Sequence, residues 1–223
     1  TVTWSERRRA HLALAQACLP STNRVELAAR HFELAGKSAD AARAWLRAAE
    51  AHCRRHRHGA ASRCFCAALR LLSPDTSDAE LVTLFKNLAS CAALSRDVSA
   101  VIAQLQDWRD TPPWRERPAV RAEASLALAS LFSHLSQHVE SAHARRTAAL
   151  DLATLARSAD AARALLAAAT TLAFALQLSL AAQTAAEASL AAEKANDVAT
   201  LAEATKLAGF ILGMQGHTAE GRR

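Results

Sequence analysis

Alanine is the residue that most restricts what this chain can fold into: it fills 57 of 223 positions. A side chain that small buries little area, so any core must come from backbones packed closely, and alanine is the strongest helix former. Leu, Ile, Val and Phe do not dominate the apolar content. Mean hydropathy is therefore zero although 51% of residues are hydrophobic. Six Gly and five Pro are too few for a chain of many tight turns. Tyr is absent and Ile and Val are scarce, which removes the residues that strands prefer. The expected class is all-α.

Helix signals recur with short interruptions. Ser5 is placed to cap a first helix ending near Cys18 and closed by Pro20. Asn23 is placed to cap a second, with Leu27, Ala28, His31, Phe32 and Ala35 on one face at a period near 3.6 and Gly36 at the natural stop. Ser38 opens a third, running to about His56, and Gly59 lies near the start of a fourth that ends before Pro74. Asp78 and Asp97 are placed to cap the fifth and sixth, whose inward stripes are Leu81, Leu84, Phe85, Leu88 and Ala92, then Val98, Val101, Ile102 and Leu105. Thr111–Pro118 (TPPWRERP) is the clear non-helical break. Helices are expected again at 119–135, 139–157, 159–176, 180–194 and 197–213, with another beginning at Thr218. The spacing divides the chain into basic helical repeats over 1–110, a Pro-rich break over 111–118 and further repeats over 119–223. Connections this short make neighbouring helices antiparallel.

Two patterns suggest repetition. Phe132, Phe174 and Phe210 each stand near a helix end, 42 and 36 residues apart, a loose period near 39, and Phe32 holds the same place in the second helix. Nine residues later come Ala41, Ser141 and Ala219 beside the first, second and last of these positions in chain order, small residues that let a returning helix approach. Phe174 is followed instead by Gln183, next to Ala182. The second pattern is Ala-x3-aromatic-x2-Ala, at Ala41, Trp45, Ala48 and again at Ala61, Phe65, Ala68, with Pro74 closing. On a helix such positions share one face.

At these residues the chain resembles a tetratricopeptide array, and more particularly the helical region of large bacterial signalling ATPases and LuxR-type transcriptional regulators. The passages that carry the likeness are Glu6–Ala17 (ERRRAHLALAQA), Glu26–His52 (ELAARHFELAGKSADAARAWLRAAEAH) and His58–Pro74 (HGAASRCFCAALRLLSP). The later helices match only the generic repeat pattern. The strict consensus is not met: the early Trp-Leu-Gly is missing, and Ala29 stands where glycine would be expected. The resemblance implies a right-handed α-solenoid of about five hairpins, taken from a longer cytoplasmic protein. Its concave face would bind a protein, a peptide, a small effector or another domain of the same parent. In a truncated array, Phe210, Ile211 and Met214 are expected to form an exposed apolar patch or to be buried against another copy.

Charge is uneven. Residues 1–72 carry 13 basic and 5 acidic side chains, residues 73–117 carry 5 and 7, and residues 118–223 carry 9 and 9. The alternative function is therefore nucleic-acid binding through the basic first 72 residues. All five cysteines (Cys18, Cys53, Cys64, Cys66, Cys91) precede residue 92, an odd number that suits a reduced cytosolic protein better than a disulfide framework. Thr1–Arg9 has charge but no apolar run of the secretory kind. The 23 uncharged residues between Arg163 and Glu187 are long enough to span a bilayer, but they are too rich in Ala, Ser, Thr and Gln to insert.

No chemistry is evident. There is no Gly-rich phosphate loop with Lys-Ser/Thr and no Gly-x-Ser-x-Gly elbow, so neither a catalytic residue nor a cofactor is expected. The segment HCRRHRHGAASRCFC places His52, Cys53, His56, Cys64 and Cys66 close together. Its Cys-x-Cys pair points two thiols roughly 200° apart on a helix, and three arginines would repel a cation. No metal is expected, with Cys64 read as a core residue and Cys66 as an interface or surface residue. Arg54, Arg55 and Arg57, flanked by His52, His56 and His58, are the candidate partner-binding patch. The alternative reading is a solvated turn.

Overall fold

A computed structural model describes residues 3–216. Among them lie eleven α-helices: α1 Trp4–Cys18, α2 Val25–Leu34, α3 Ser38–Cys53, α4 His58–Leu69, α5 Asp78–Ala93, α6 Val98–Asp110, α7 Pro118–His134, α8 His138–Thr154, α9 Ser158–Phe174, α10 Leu178–Ala195 and α11 Val198–Met214. The described residues contain no strand, so the all-α expectation holds. The chain divides into two compact units, Thr1–Trp108 and Arg109–Arg223. In the first, α1 packs on α2, α2 on α3, α3 on α4 and α4 on α5, while Phe85 of α5 meets Trp108 of α6 edge to face at 5.1 Å. In the second, each helix from α7 to α10 packs on its successor, and α11 also reaches α9.

From α3 onward the helices keep an even register. They begin at residues 38, 58, 78, 98, 118, 138, 158, 178 and 198, one every 20 residues, or 40 for a pair. Most of the turns are built alike. Gly36, His56, Ser136, Ala156, Leu176 and Asn196 all adopt positive φ, between 52° and 70°. In each case the left-handed residue donates its amide to the carbonyl three residues back, and the next amide donates to the carbonyl five back, as in Gly36 to Glu33 and Lys37 to Phe32. This is the Schellman closure, which satisfies carbonyls that a helix end otherwise leaves bare. The segments 38–44 and 158–164 have the same sequence, SADAARA, six registers apart. They fold the same way, with Arg43 paired to Asp40 and Arg163 to Asp160.

The register gives a helix pair of 40 residues, close to the expected period near 39, but it corrects the residues that mark it. Phe32 and Phe132 do stand four residues before a left-handed turn residue, but Leu152, Leu172 and Ala192 fill that place in the later helices. Phe174 and Phe210 lie elsewhere in the repeat and are 79% and 61% exposed. The small-residue pattern fares better: Ala41, Trp45, Ala48, Ala61, Phe65 and Ala68 are all buried. The second unit's core is likewise made of alanines seated against a few leucines. Ala122, Ala149, Leu152, Ala161 and Ala164 form one cluster, and Ala142, Ala168, Leu172, Ala173, Ala181 and Ile211 form another. Ile211 is therefore buried, contrary to the patch expected at the end of α11, because it faces α9 and α10; Phe210 and Met214 are exposed. The helix expected from Thr218, and Ala219, lie outside the described residues.

Three caps differ from expectation. Thr3, not Ser5, caps α1, and Ser77, not Asp78, caps α5. Each is followed three residues on by a glutamate, Glu6 or Glu80, whose carboxylate accepts from the capping residue's amide. This reciprocal box needs Ser/Thr-x-x-Glu, a spacing that neither Ser5 nor Asp78 has. The carboxyls of Glu6 and Glu80 are held below their ordinary range by those bonds. Asn23 does not cap α2; its side chain instead accepts from Arg55 at 2.6 Å. The proline segment is not wholly irregular, since Trp114–Glu116 forms a 3-10 turn with Trp114 buried, and Pro118 is the first residue of α7. Proline suits that position because the missing amide would have no partner there.

Leu176 tests the turn geometry. It holds φ at 57° with its side chain 70% exposed, a conformation that costs a non-glycine residue about 1–2 kcal/mol. Leu176→Gly loses almost no burial, and the relief outweighs glycine's extra chain entropy. The variant is expected to be more stable by about 0.5–1 kcal/mol in urea unfolding. A loss of stability would mean that the turn is not left-handed.

Candidate functional site

Three of the residues singled out around the α3–α4 turn, His52, Arg55 and Arg57, meet at a cleft of about 520 Å³ in the first unit. It is lined by Thr22, Asn23, Glu26, Ala48, Ala51, His52, Arg55 and Arg57. The parts come from three successive elements. α2 presents Glu26 in its first turn, where a carboxylate favours the helix dipole. α3 presents His52 near its end. The left-handed turn at His56 then throws Arg55 and Arg57 out to solvent beside them.

His52 reaches back to Glu26, with Nε2 3.3 Å from Oε2, while Arg30 donates to Oε1 of the same carboxylate at 2.8 Å. Partial burial works to raise the Glu26 carboxyl, but the bonds from His52 and Arg30 prevail and hold it below its ordinary range. Arg55 spends one bond on the neutral Asn23 amide. Arg54 and Arg57 make no ion pair among the described residues, so the rim of the cleft keeps its positive charge. All three arginines of the expected patch are exposed, and two of them, Arg55 and Arg57, line the cleft.

Cys64 lies behind this wall. The ligand atoms of Glu26, His52 and Cys64 all lie within 4.8 Å of one another, and among the described residues this is the one such grouping of three or more. Nitrogen, sulfur and oxygen donors are a zinc-type set, but the chemistry here resists a dication. Burial, with the Glu26 charge adding to it, pushes the Cys64 thiol up to about 12, so it holds its proton at neutral pH. Glu26 is already bound to Arg30, and more guanidinium groups stand at the rim. The same protonated, buried sulfur is a poor nucleophile. His56 is exposed in the turn, away from this group, and Cys66 is half-buried with its thiol pushed up to about 11 by burial.

Sequence reasoning found the arginines and His52 because they are adjacent in the chain. It missed Glu26, which is brought in only by the packing of α2 on α3 and which, in a first helical turn, had an ordinary explanation as a dipole-capping residue.

A second cleft of about 290 Å³ lies in the same unit between α3, the segment after α4 and the start of α5. It is walled largely by Leu46, Leu71, Leu72, Leu81 and Leu84. Its polar wall is Arg43, Ser73, Asp75, Thr76 and Glu80, of which Asp75 accepts from the Ser73 hydroxyl and Glu80 from Ser77.

No protein-family model matches the chain, and no curated protein is significantly similar to it. No helix among the described residues is long and apolar enough to cross a membrane.

Proposed function

We propose that this chain is a non-catalytic interaction module, without cofactor or metal, that holds an acidic protein or peptide segment at the cleft between α2 and the end of α3. In this reading the hairpins belong to a tetratricopeptide-like, right-handed α-solenoid. The chain serves as a regulatory segment of a larger cytoplasmic bacterial regulator of the LuxR or signalling-ATPase kind. The bound segment belongs to another protein or to another domain of the same parent.

The observation that carries the proposal is the imbalance of charge at the cleft. Its one carboxylate is held by Arg30 and His52, while Arg55 and Arg57 remain to meet an incoming anion. Guanidinium pairs bind carboxylates bidentately and give specificity as well as attraction. The even helical register supports a scaffold role, since its chemistry is almost wholly that of packing. The 40-residue helix pair is longer than the tetratricopeptide repeat of about 34 residues, so the likeness is one of hairpin design rather than of consensus length.

Fluorescence anisotropy with a labelled Glu/Asp-rich peptide tests this. Binding should weaken about tenfold in both Arg55→Glu and Arg57→Glu, the loss of about 1.4 kcal/mol expected when an attractive contact becomes repulsive. Equal binding by the wild type and both variants would remove the cleft from the reading. Tight, steeply salt-dependent binding of duplex DNA in place of the peptide would favour the nucleic-acid alternative through the basic first 72 residues.

A further inference from the structure

We propose that Cys53 and Cys91 form a covalent modification site: a dithiol that closes to a disulfide by exchange with an anionic low-molecular-weight disulfide of the glutathione type, tying α3 to α5. The two sulfur atoms, 38 residues apart in sequence, already lie 3.1 Å from each other. A bonded pair needs about 2.05 Å, so closure asks for a shift of about an ångström at two side chains that sit at or near helix ends. All five cysteines are free, and among the described residues no other two sulfurs are within hydrogen-bonding reach of each other.

The two thiols are unlike, and the difference sets the order of events. Cys53 is the last residue of α3 and is half-exposed, whereas Cys91 is buried within α5. Within the four residues after Cys53 come Arg54, Arg55 and Arg57, all exposed, which draw a disulfide bearing carboxylates to that side. The Cys53 thiolate attacks one sulfur of the reagent, whose S–S bond breaks and releases one thiolate. That leaves a mixed disulfide at Cys53. Burial and the contact with Cys53 push the Cys91 thiol up to about 12, so it waits protonated and does not react first. It then passes its proton to a departing thiolate and attacks the Cys53 sulfur from the adjoining position. The second reagent thiol leaves. Two protein thiols are oxidised by two electrons, one reagent disulfide is reduced to two thiols, and excess reduced thiol reverses the sequence. Proximity compensates for the small thiolate fraction at Cys91.

Incubation of the whole chain in oxidised glutathione tests the site. The free-thiol count under denaturing conditions should fall from five by two, the mass should drop by two hydrogens, and digestion should yield one linked peptide pair joining Cys53 to Cys91. Cys91→Ser should stop at a stable glutathione adduct on Cys53. Cys53→Ser should keep all its remaining thiols, with its thermal midpoint confirming that it is folded. The oxidised wild type should melt at a higher temperature than the reduced form, and the shift should vanish on reduction. A chain that keeps every thiol free, or that links any other pair, overturns the proposal.

Discussion

Arg121→Ala is expected to destabilise the second unit by about 3–5 kcal/mol, far more than the loss of an ordinary surface ion pair. Asp151 sits on α8 with its side chain only 7% exposed, and the guanidinium of Arg121 on α7 grips it with two nitrogens, Nε at 3.2 Å and Nη2 closer still. The remaining nitrogen, Nη1, donates to the backbone carbonyl of Arg115 at 2.7 Å. The bond to Asp151 outweighs partial burial and raises the Arg121 pKa, so the cation is never in doubt. Removing it leaves a carboxylate buried among α7 and α8 without a counter-charge, the situation in which a broken pair costs most. The pair itself is a different matter, because two desolvated charges recover little more than they lose. Arg121→Met combined with Asp151→Leu should therefore regain most of the lost stability. Urea unfolding of the single and the double variant beside the wild type reads this directly. A single variant within about 0.5 kcal/mol of wild type would show that Asp151 is not buried.

Phe85→Ala is expected to cost about 3–5 kcal/mol in the first unit, the usual penalty for emptying a large core site. Phe85 is among the largest fully buried side chains and packs edge to face on Trp108. The other buried residues of α5 are leucines, alanines and Cys91, all smaller than the phenylalanine removed. A chain with a core of small residues depends on its few large ones, so the loss should lie near the top of the range. In contrast Phe174→Ala, at a side chain 79% exposed, should change stability by less than about 0.5 kcal/mol. A comparable loss at the two sites would contradict the assigned burial.

That contrast also shows what could be read from the sequence and what could not. Helix positions were legible because alanine, periodic apolar stripes and proline breaks are local signals, and most boundaries in the second half fell within two or three residues. The loose period near 39 lies close to the 40-residue helix pair, but the phenylalanines that suggested it are not equivalent positions, since Phe174 and Phe210 face outward. The true turn positions are marked by glycine or asparagine at Gly36 and Asn196, but they are silent at His56, Ser136, Ala156 and Leu176. Nothing in those residue types announces positive φ; hydrogen bonds and the packing on either side impose it. The duplicated SADAARA at 38–44 and 158–164 did carry the period, since 120 residues is six helices of 20. Around the cleft, the adjacent arginines were visible in the chain. Glu26 beside His52 and Cys53 beside Cys91 were not, because only helix packing joins residues 26 and 38 positions apart.

The 20-residue register sets how each helix from α3 onward follows the last, and backbone resonance assignment tests it most directly. Chemical shifts should place helix starts at residues 38, 58, 78, 98, 118, 138, 158, 178 and 198, with left-handed shifts at 136, 156, 176 and 196. A strand anywhere in 38–214, or helical shifts running unbroken through any one of those four turns, would contradict it.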